Sequence, residues 1–170
     1  MKIVRLILAG GIGAMLLAAA PAPLKPVPWK SGDAPPTVNG VKLGDTEQRA
    51  LDLLGPPDEV NSTTTGELLE YRTRGLEVTC TKDGVIAMRL LKPEAGSVDG
   101  ISVGDPARAV IIKWGAPTGG TDRTAEFGTP AWIIAVHLAD RSSTIADLTL
   151  ANRRANPAID SSKLNVFQTQ

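Results

Sequence analysis

Residues 40–58 read GVKLGDTEQRALDLLGPPD, and residues 100–118 read GISVGDPARAVIIKWGAPT. The two stretches agree at Gly40 and Gly100, Gly44 and Gly104, Asp45 and Asp105, Gly55 and Gly115, and Pro57 and Pro117, at a constant offset of 60. Each is introduced by a dipeptide suited to a tight bend, Asn39-Gly40 or Asp99-Gly100. A few extended residues then lead into Gly-Asp, where a short helix is predicted to begin. The carboxylates of Asp45 and Asp105 are expected to cap the freed backbone N–H groups. Gln48 stands at capping-box spacing in the first copy, and Pro106 at the first helical position in the second. Gly55 and Gly115 are expected to end the helices in a left-handed conformation, with Pro57 and Pro117 barring continuation. Ala107, Val110, Ile111 and Trp114 fall on one helical face, and Ala50, Leu51 and Leu54 give a thinner version.

Downstream of each stretch the residues alternate with period two. Leu69 and Tyr71, then Leu76, Val78 and Cys80, interleave with Glu70, Arg72, Arg74, Glu77 and Thr79, as in a sheet with one apolar face. Lys82-Asp83-Gly84 turns the chain, and Ile86, Met88 and Leu90 return on one side. Ala146, Leu148 and Leu150 repeat that last pattern at the same offset. The expectation is an α+β fold of two tandem units, each a short helix followed by a three-stranded antiparallel meander. One unit of 60 residues is only marginally able to bury a core, so two units are expected to share one.

The boundaries predicted on this reading are a signal peptide or N-terminal anchor at 1–22, a Pro-rich linker at 23–38, and units at 39–98 and 99–150. A flexible tail occupies 151–170, in which Leu164, Val166 and Phe167 are able to dock a short strand. Lys2 and Arg5 precede an apolar run ending in small residues, the form of a secretory signal. The alternative is an uncleaved anchor facing the periplasm, since the run approaches the ~20 residues that cross a bilayer. The chain is thus expected in the periplasm or secreted. Its 170 residues carry 18 basic and 18 acidic side chains, and 4% are aromatic, which gives neither the basic face nor the stacking surface that nucleic acid requires. Cys80 is the only cysteine, so no internal disulfide forms, and its place in the strand pattern predicts burial.

The signature G-[VI]-x-[LV]-G-D, short helix, [LW]-G-x-P and then a meander resembles the β-lactamase-inhibitor-protein-like superfamily over residues 39–150. That superfamily includes the small lipoprotein of the outer-membrane assembly machinery, and tandem forms that inhibit secreted enzymes with a concave sheet. The resemblance implies an exported location and a tendency to bind proteins, and it transfers no catalytic residue.

Chemistry is sparse. His137 is the only histidine and lies in the strand-like WIIAVHL. There is no phosphate-binding glycine loop outside the signal region and no nucleophile elbow. Neither catalytic residues nor a cofactor nor a metal site is predicted. Trp29 in the linker is expected to fold back onto the domain or, alternatively, to anchor a partner; the other candidate partner contacts are Glu70, Arg72 and Arg74 on the polar sheet face. Thr121, Asp122 and Arg123 join them in an apparent loop from Gly119 to Pro130, with 61–66 as its counterpart. The expected function is a non-enzymatic module that binds a protein partner in the envelope, assisting envelope assembly or maintenance. The alternatives are an inhibitor or immunity protein, and a small hydrolase or ligand carrier. The oligomeric state is left open.

Overall fold

A computed structural model describes residues 29–140 and 142–153. The signal-peptide expectation, the first part of the linker and most of the tail lie outside these residues. Two short helices occur among them, α1 (Glu47–Leu54) and α2 (Ala107–Trp114), with a 3-10 turn at Pro93–Ala95. The strands are β1 (Glu59–Ser62), β2 (Glu67–Tyr71), β3 (Leu76–Thr81), β4 (Gly84–Leu90), β5 (Gly119–Thr121), β6 (Thr124–Gly128), β7 (Trp132–Leu138) and β8 (Ile145–Asn152). All eight form one antiparallel sheet in the order β1-β2-β3-β4-β8-β7-β6-β5.

This corrects the expected fold class. The chain forms a mostly-sheet fold, not two tandem units of one helix and three strands. Two physical causes account for the difference. The stretches expected as loops, 61–66 and Gly119 to Pro130, in part join edge strands, because 59–62 and 119–121 fold back on β2 and β6 as hairpins. The last strand of each half then finds its partner in the other, with Met88 opposite Leu150 and Leu90 opposite Leu148. That pairing fuses the two halves at the middle of a single sheet.

One continuous core lies between the inner sheet face and the helices, running from Val38, Ala50 and Leu54 through Met88 and Leu150 to Val110 and Trp114. The inner face follows the alternation in Leu69, Tyr71, Leu76, Val78 and Cys80, all buried. Two irregularities change its parity. The register moves from Thr79↔Ala87 to Cys80↔Val85, and from His137↔Asp147 to Leu138↔Ile145. Ile86 and Ala146 are thereby the extra residues of β-bulges. Val85 and Ile145, not Ile86 and Ala146, join the core.

The quoted stretches fold alike. Asn39 and Gly40 have φ of 50° and 86°, and Asp99 and Gly100 have 47° and 72°. Positive φ at both central residues makes type I′ turns, closed by the Val38–Val41 and Val98–Ile101 bridges. Asp45 and Asp105, however, are not helix N-caps. Their Oδ2 atoms accept from Lys42 N and Ser102 N at 2.8 Å, closing the preceding turn. Their carbonyls accept from Val85 N and Ile145 N, which ties each turn to the start of β4 or β8. The N-cap of α1 is Thr46, whose Oγ1 accepts from Arg49 N at 3.2 Å, and α2 has Pro106 there with no side-chain cap. Gln48 bonds Asp52 instead of completing a capping box.

Gly55 and Gly115 are the C-caps, their N–H groups donating to Leu51 O and Ile111 O. Their ψ values of −173° and −153° place them outside the left-handed helical region, in territory essentially reserved for glycine. In α2 the buried stripe narrows to Val110 and Trp114, one turn apart, and leaves Ile111 47% exposed on the flank.

Candidate functional site

The outer sheet face, opposite the helices, carries one row of directly opposed residues through every strand. It runs Glu59, Glu70, Glu77, Arg89, Thr149, Ala135, Glu126 and Gly119. Side chains opposed in this way share a face and lie close enough to interact. Three acids stand next to one another at the β1 end, an arrangement that repels unless cations intervene. Arg72, just beyond β2, supplies one: it ion-pairs with Glu59 and its Nε is 2.8 Å from Glu70 Oε2. The hydrogen bond from Arg72 holds the Glu70 carboxyl below its ordinary value, with help from Asn61.

Arg89 is the hub of the middle. Its Nη1 lies 3.9 Å from Glu77 and its Nη2 3.4 Å from Asp147, which in turn sits 2.8 Å from His137 Nδ1. This chain links β3, β4, β8 and β7 and so crosses the join between the halves. Burial pushes the Glu77 carboxyl upward against the pull of Arg89. Burial acts on Asp147 in the same sense, but the hydrogen bond from His137 and the charges of His137 and Arg89 outweigh it and hold Asp147 below its ordinary value. At the β5 end Glu126 is almost wholly enclosed, with Arg153 Nη2 3.5 Å away. Ile133, Ala151 and Ala87, also on this face, form a second small apolar cluster.

The residues singled out by sequence do not converge. Glu70 and Arg72 lie on the outer face near the β1 edge. Arg74 turns to the helix side, where its Nη2 donates to Leu54 O at 2.6 Å and its guanidinium lies 4.7 Å from the Tyr71 ring centre. Trp29 is half-buried and packs against the core, its ring 5.2 Å from Trp114 and 5.1 Å from Trp132. Trp132 Nε1 donates to Asp33 O, so the segment from Trp29 to Asp33 is strapped over the second half of the sheet and is not a free linker. Thr121, Asp122 and Arg123 form the end of β5 and its turn into β6, with Arg123 paired to Asp140. The strand register, invisible in a single segment, is what brings Glu77, Arg89, Asp147, His137 and Glu126 together.

His137 is committed through Nδ1 to Asp147, while Ser142 bonds Thr144. Burial first, and the carboxylates of Glu47 and Glu67 second, push the Cys80 thiol up to about 11. Among the described residues no cluster of metal-ligating side chains occurs. In an open cleft between the two type I′ turns, Asn39 Nδ2 is engaged by Ala95 O and Asp99 Oδ2 by Trp114 Nε1. The organised chemistry of the described residues is thus ionic, and it is spread over the outer sheet face.

No protein-family model matches the chain, and no curated protein matches it. It is similar in structure to an extracellular protein containing a SCP domain from Bacillus anthracis, at 11% identity and a TM-score of 0.59, covering 78% of this chain and 50% of that one. It is also similar to a cysteine-rich secretory protein from Staphylococcus aureus, at 9% identity and a TM-score of 0.60, covering 77% and 51%. A DUF4309 family protein from Bacillus subtilis aligns with a TM-score of 0.47, too low for any argument. The chain spans about half the length of the first two, and at these identities they share its fold alone. Neither of the first two neighbours is a β-lactamase-inhibitor-protein-like protein, so that resemblance is corrected and the inhibitor reading that accompanied it loses its support.

Proposed function

We propose that the chain is an exported, non-enzymatic module that binds a protein partner in the cell envelope through the outer face of its sheet. The observation that carries this reading is the set of charged side chains spread over the outer sheet face from Glu59 to Glu126, with Glu77, Asp147 and Glu126 only 30%, 14% and 7% exposed. Charges held partly out of water on a rigid sheet are pre-organised, and such charges give an interface register and specificity. The basic start and apolar run of residues 2–22 support export. So does the description of the two fold neighbours as extracellular and secretory.

A pull-down from envelope extract at low salt tests the reading. The wild-type chain is expected to retain a specific protein that is lost at high salt and lost with Arg89→Glu, which reverses the hub. Recovery of no specific protein, or recovery indifferent to Arg89→Glu in a folded variant, overturns it.

A further inference from the structure

Glu126 differs from the other acids of the row. Its side chain is 7% exposed, Arg153 approaches only Oε2, and Oε1 is buried without a hydrogen-bond partner among the described residues. An unmatched oxygen on an enclosed carboxylate is costly, and such a group calls for a donor, above all a cationic one. The next position outward in the row is Gly119, directly opposite Glu126 on β5. It has no side chain, and a Cβ there would lie 3.3 Å from Glu126 Oε2. All three β5 residues are exposed, and β5 ends the sheet with β6 on one side and no strand on the other among the described residues.

An edge with no strand beyond it among the described residues therefore shares a register position with the Glu126 carboxylate, whose Oε2 is the oxygen nearest the Gly119 position. We infer that the β5 edge receives an extended peptide of a partner protein as an added strand. A lysine or arginine of that peptide crosses over Gly119 to the Glu126 carboxylate. This inference rests on the protein-binding reading and names the chemistry of its partner. An added strand runs about 5 Å outside β5 and so about 10 Å from β6. That separation is bridged by a long basic side chain meeting a glutamate, provided the residue between has no side chain. Backbone pairing along the edge supplies affinity without sequence, and the basic residue supplies selectivity. The opposite edge lacks the second feature, because Glu59 is already paired with Arg72 and Val60 beside it is 49% exposed.

The test uses the full chain and fluorescent ten-residue peptides of alternating threonine and valine. The central residue is lysine in one peptide and glutamine in the other, and binding is read by anisotropy. The lysine peptide is expected to bind on the order of tenfold to a hundredfold more tightly. Glu126→Gln should erase that difference while leaving the melting transition cooperative. Gly119→Val, which fills the path, should weaken the lysine peptide to the level of the glutamine peptide.

Equal affinities in the wild type, no binding of either peptide, or a lysine preference that survives Glu126→Gln each overturn the inference. Dimerisation abolished by Gly119→Val, with no peptide bound, assigns the edge to a second copy and overturns it also. A partner recovered from envelope extract by the Glu126→Gln variant removes the edge site alone and leaves the polar-face reading standing. Peptide selectivity without any recovered partner removes the polar-face reading instead.

Discussion

Met88 of β4 lies directly opposite Leu150 of β8, both fully buried, and this antiparallel pair joins the two halves of the chain across one sheet. The core on the inner face is likewise a single cluster from Val38 to Trp114. A shared core and a shared ladder make unfolding of one half expose apolar surface of the other, which couples them.

The expected outcome is a single cooperative transition. Trp114 and Trp132 report on α2 and β7, whereas Cys80 reports on β3. Its thiol, buried and raised to about 11, should be alkylated only as fast as the fold opens. Urea midpoints from tryptophan emission and from Cys80 labelling should coincide. Leu150→Ala should lower both together, in keeping with a loss of stability of about 2–5 kcal/mol. Separate midpoints would show that the halves fold independently.

Trp29 is expected to contribute to stability although it lies in a proline-rich segment. It sits between Trp114 and Trp132, edge-on to the latter, and Trp132 Nε1 fastens the same segment through Asp33 O. Trp29→Ala should cost about 2–3 kcal/mol, less than a fully enclosed tryptophan because Trp29 is half-buried. Lys30→Ala, at an exposed side chain, should shift stability by less than about 0.5 kcal/mol. Urea titration of the two variants distinguishes a packed strap from a free linker, which predicts no loss for either.

Local chemistry in the sequence locates the helices, the two type I′ turns and most inward-facing strand residues. Asn-Gly and Asp-Gly, glycine after the helix and strict alternation each act within a few residues. Three features escape such reading. β1 and β5 have four and three residues, too few for a period, and Gly119-Gly120 resembles a loop. The bulges at Ile86 and Ala146 reverse the facing of one residue each, which uniform alternation does not anticipate. The β4–β8 pairing joins residues about 60 apart and leaves no local mark. The candidate face depends on that pairing, so Arg89 and Asp147 emerge as partners only from the structure.

Gly55 tests whether the end of α1 is set by backbone conformation or by crowding. Its φ and ψ are 79° and −173°, a combination disfavoured for residues with a Cβ, yet a Cβ there would meet nothing within 4 Å. Gly55→Ala should therefore cost about 1–3 kcal/mol through backbone strain alone. Because Tyr71 Oη donates to Gly55 O at 3.1 Å, displacement of the helix end should also be visible as a change in tyrosine absorbance. A neutral substitution in urea titration would mean that the loop relaxes without cost.

Asp147 and Glu77, both beside Arg89, should respond to pH with opposite sign. The folded-state value of Asp147 is depressed by His137 and Arg89 in spite of burial, so its contribution is present above the ordinary carboxylate range and is lost as pH falls through the depressed value. Glu77 is raised by burial, so its effect is the reverse: stability is full below its ordinary value and declines as pH rises through the folded one. Asp147→Asn should destabilise by about 1–2 kcal/mol at pH 7, where it leaves Arg89 and His137 short of a charged acceptor. The deficit should shrink as pH falls through the depressed folded value, where the wild-type carboxylate itself takes up a proton. Glu77→Gln should be nearly neutral near pH 3 and should remove part of the decline seen in the wild type toward pH 7. Urea stability measured from neutral pH down through the acid range on the three proteins checks both signs. Parallel pH curves for Asp147→Asn and wild type would mean that Asp147 is not the ionised bridge between His137 and Arg89.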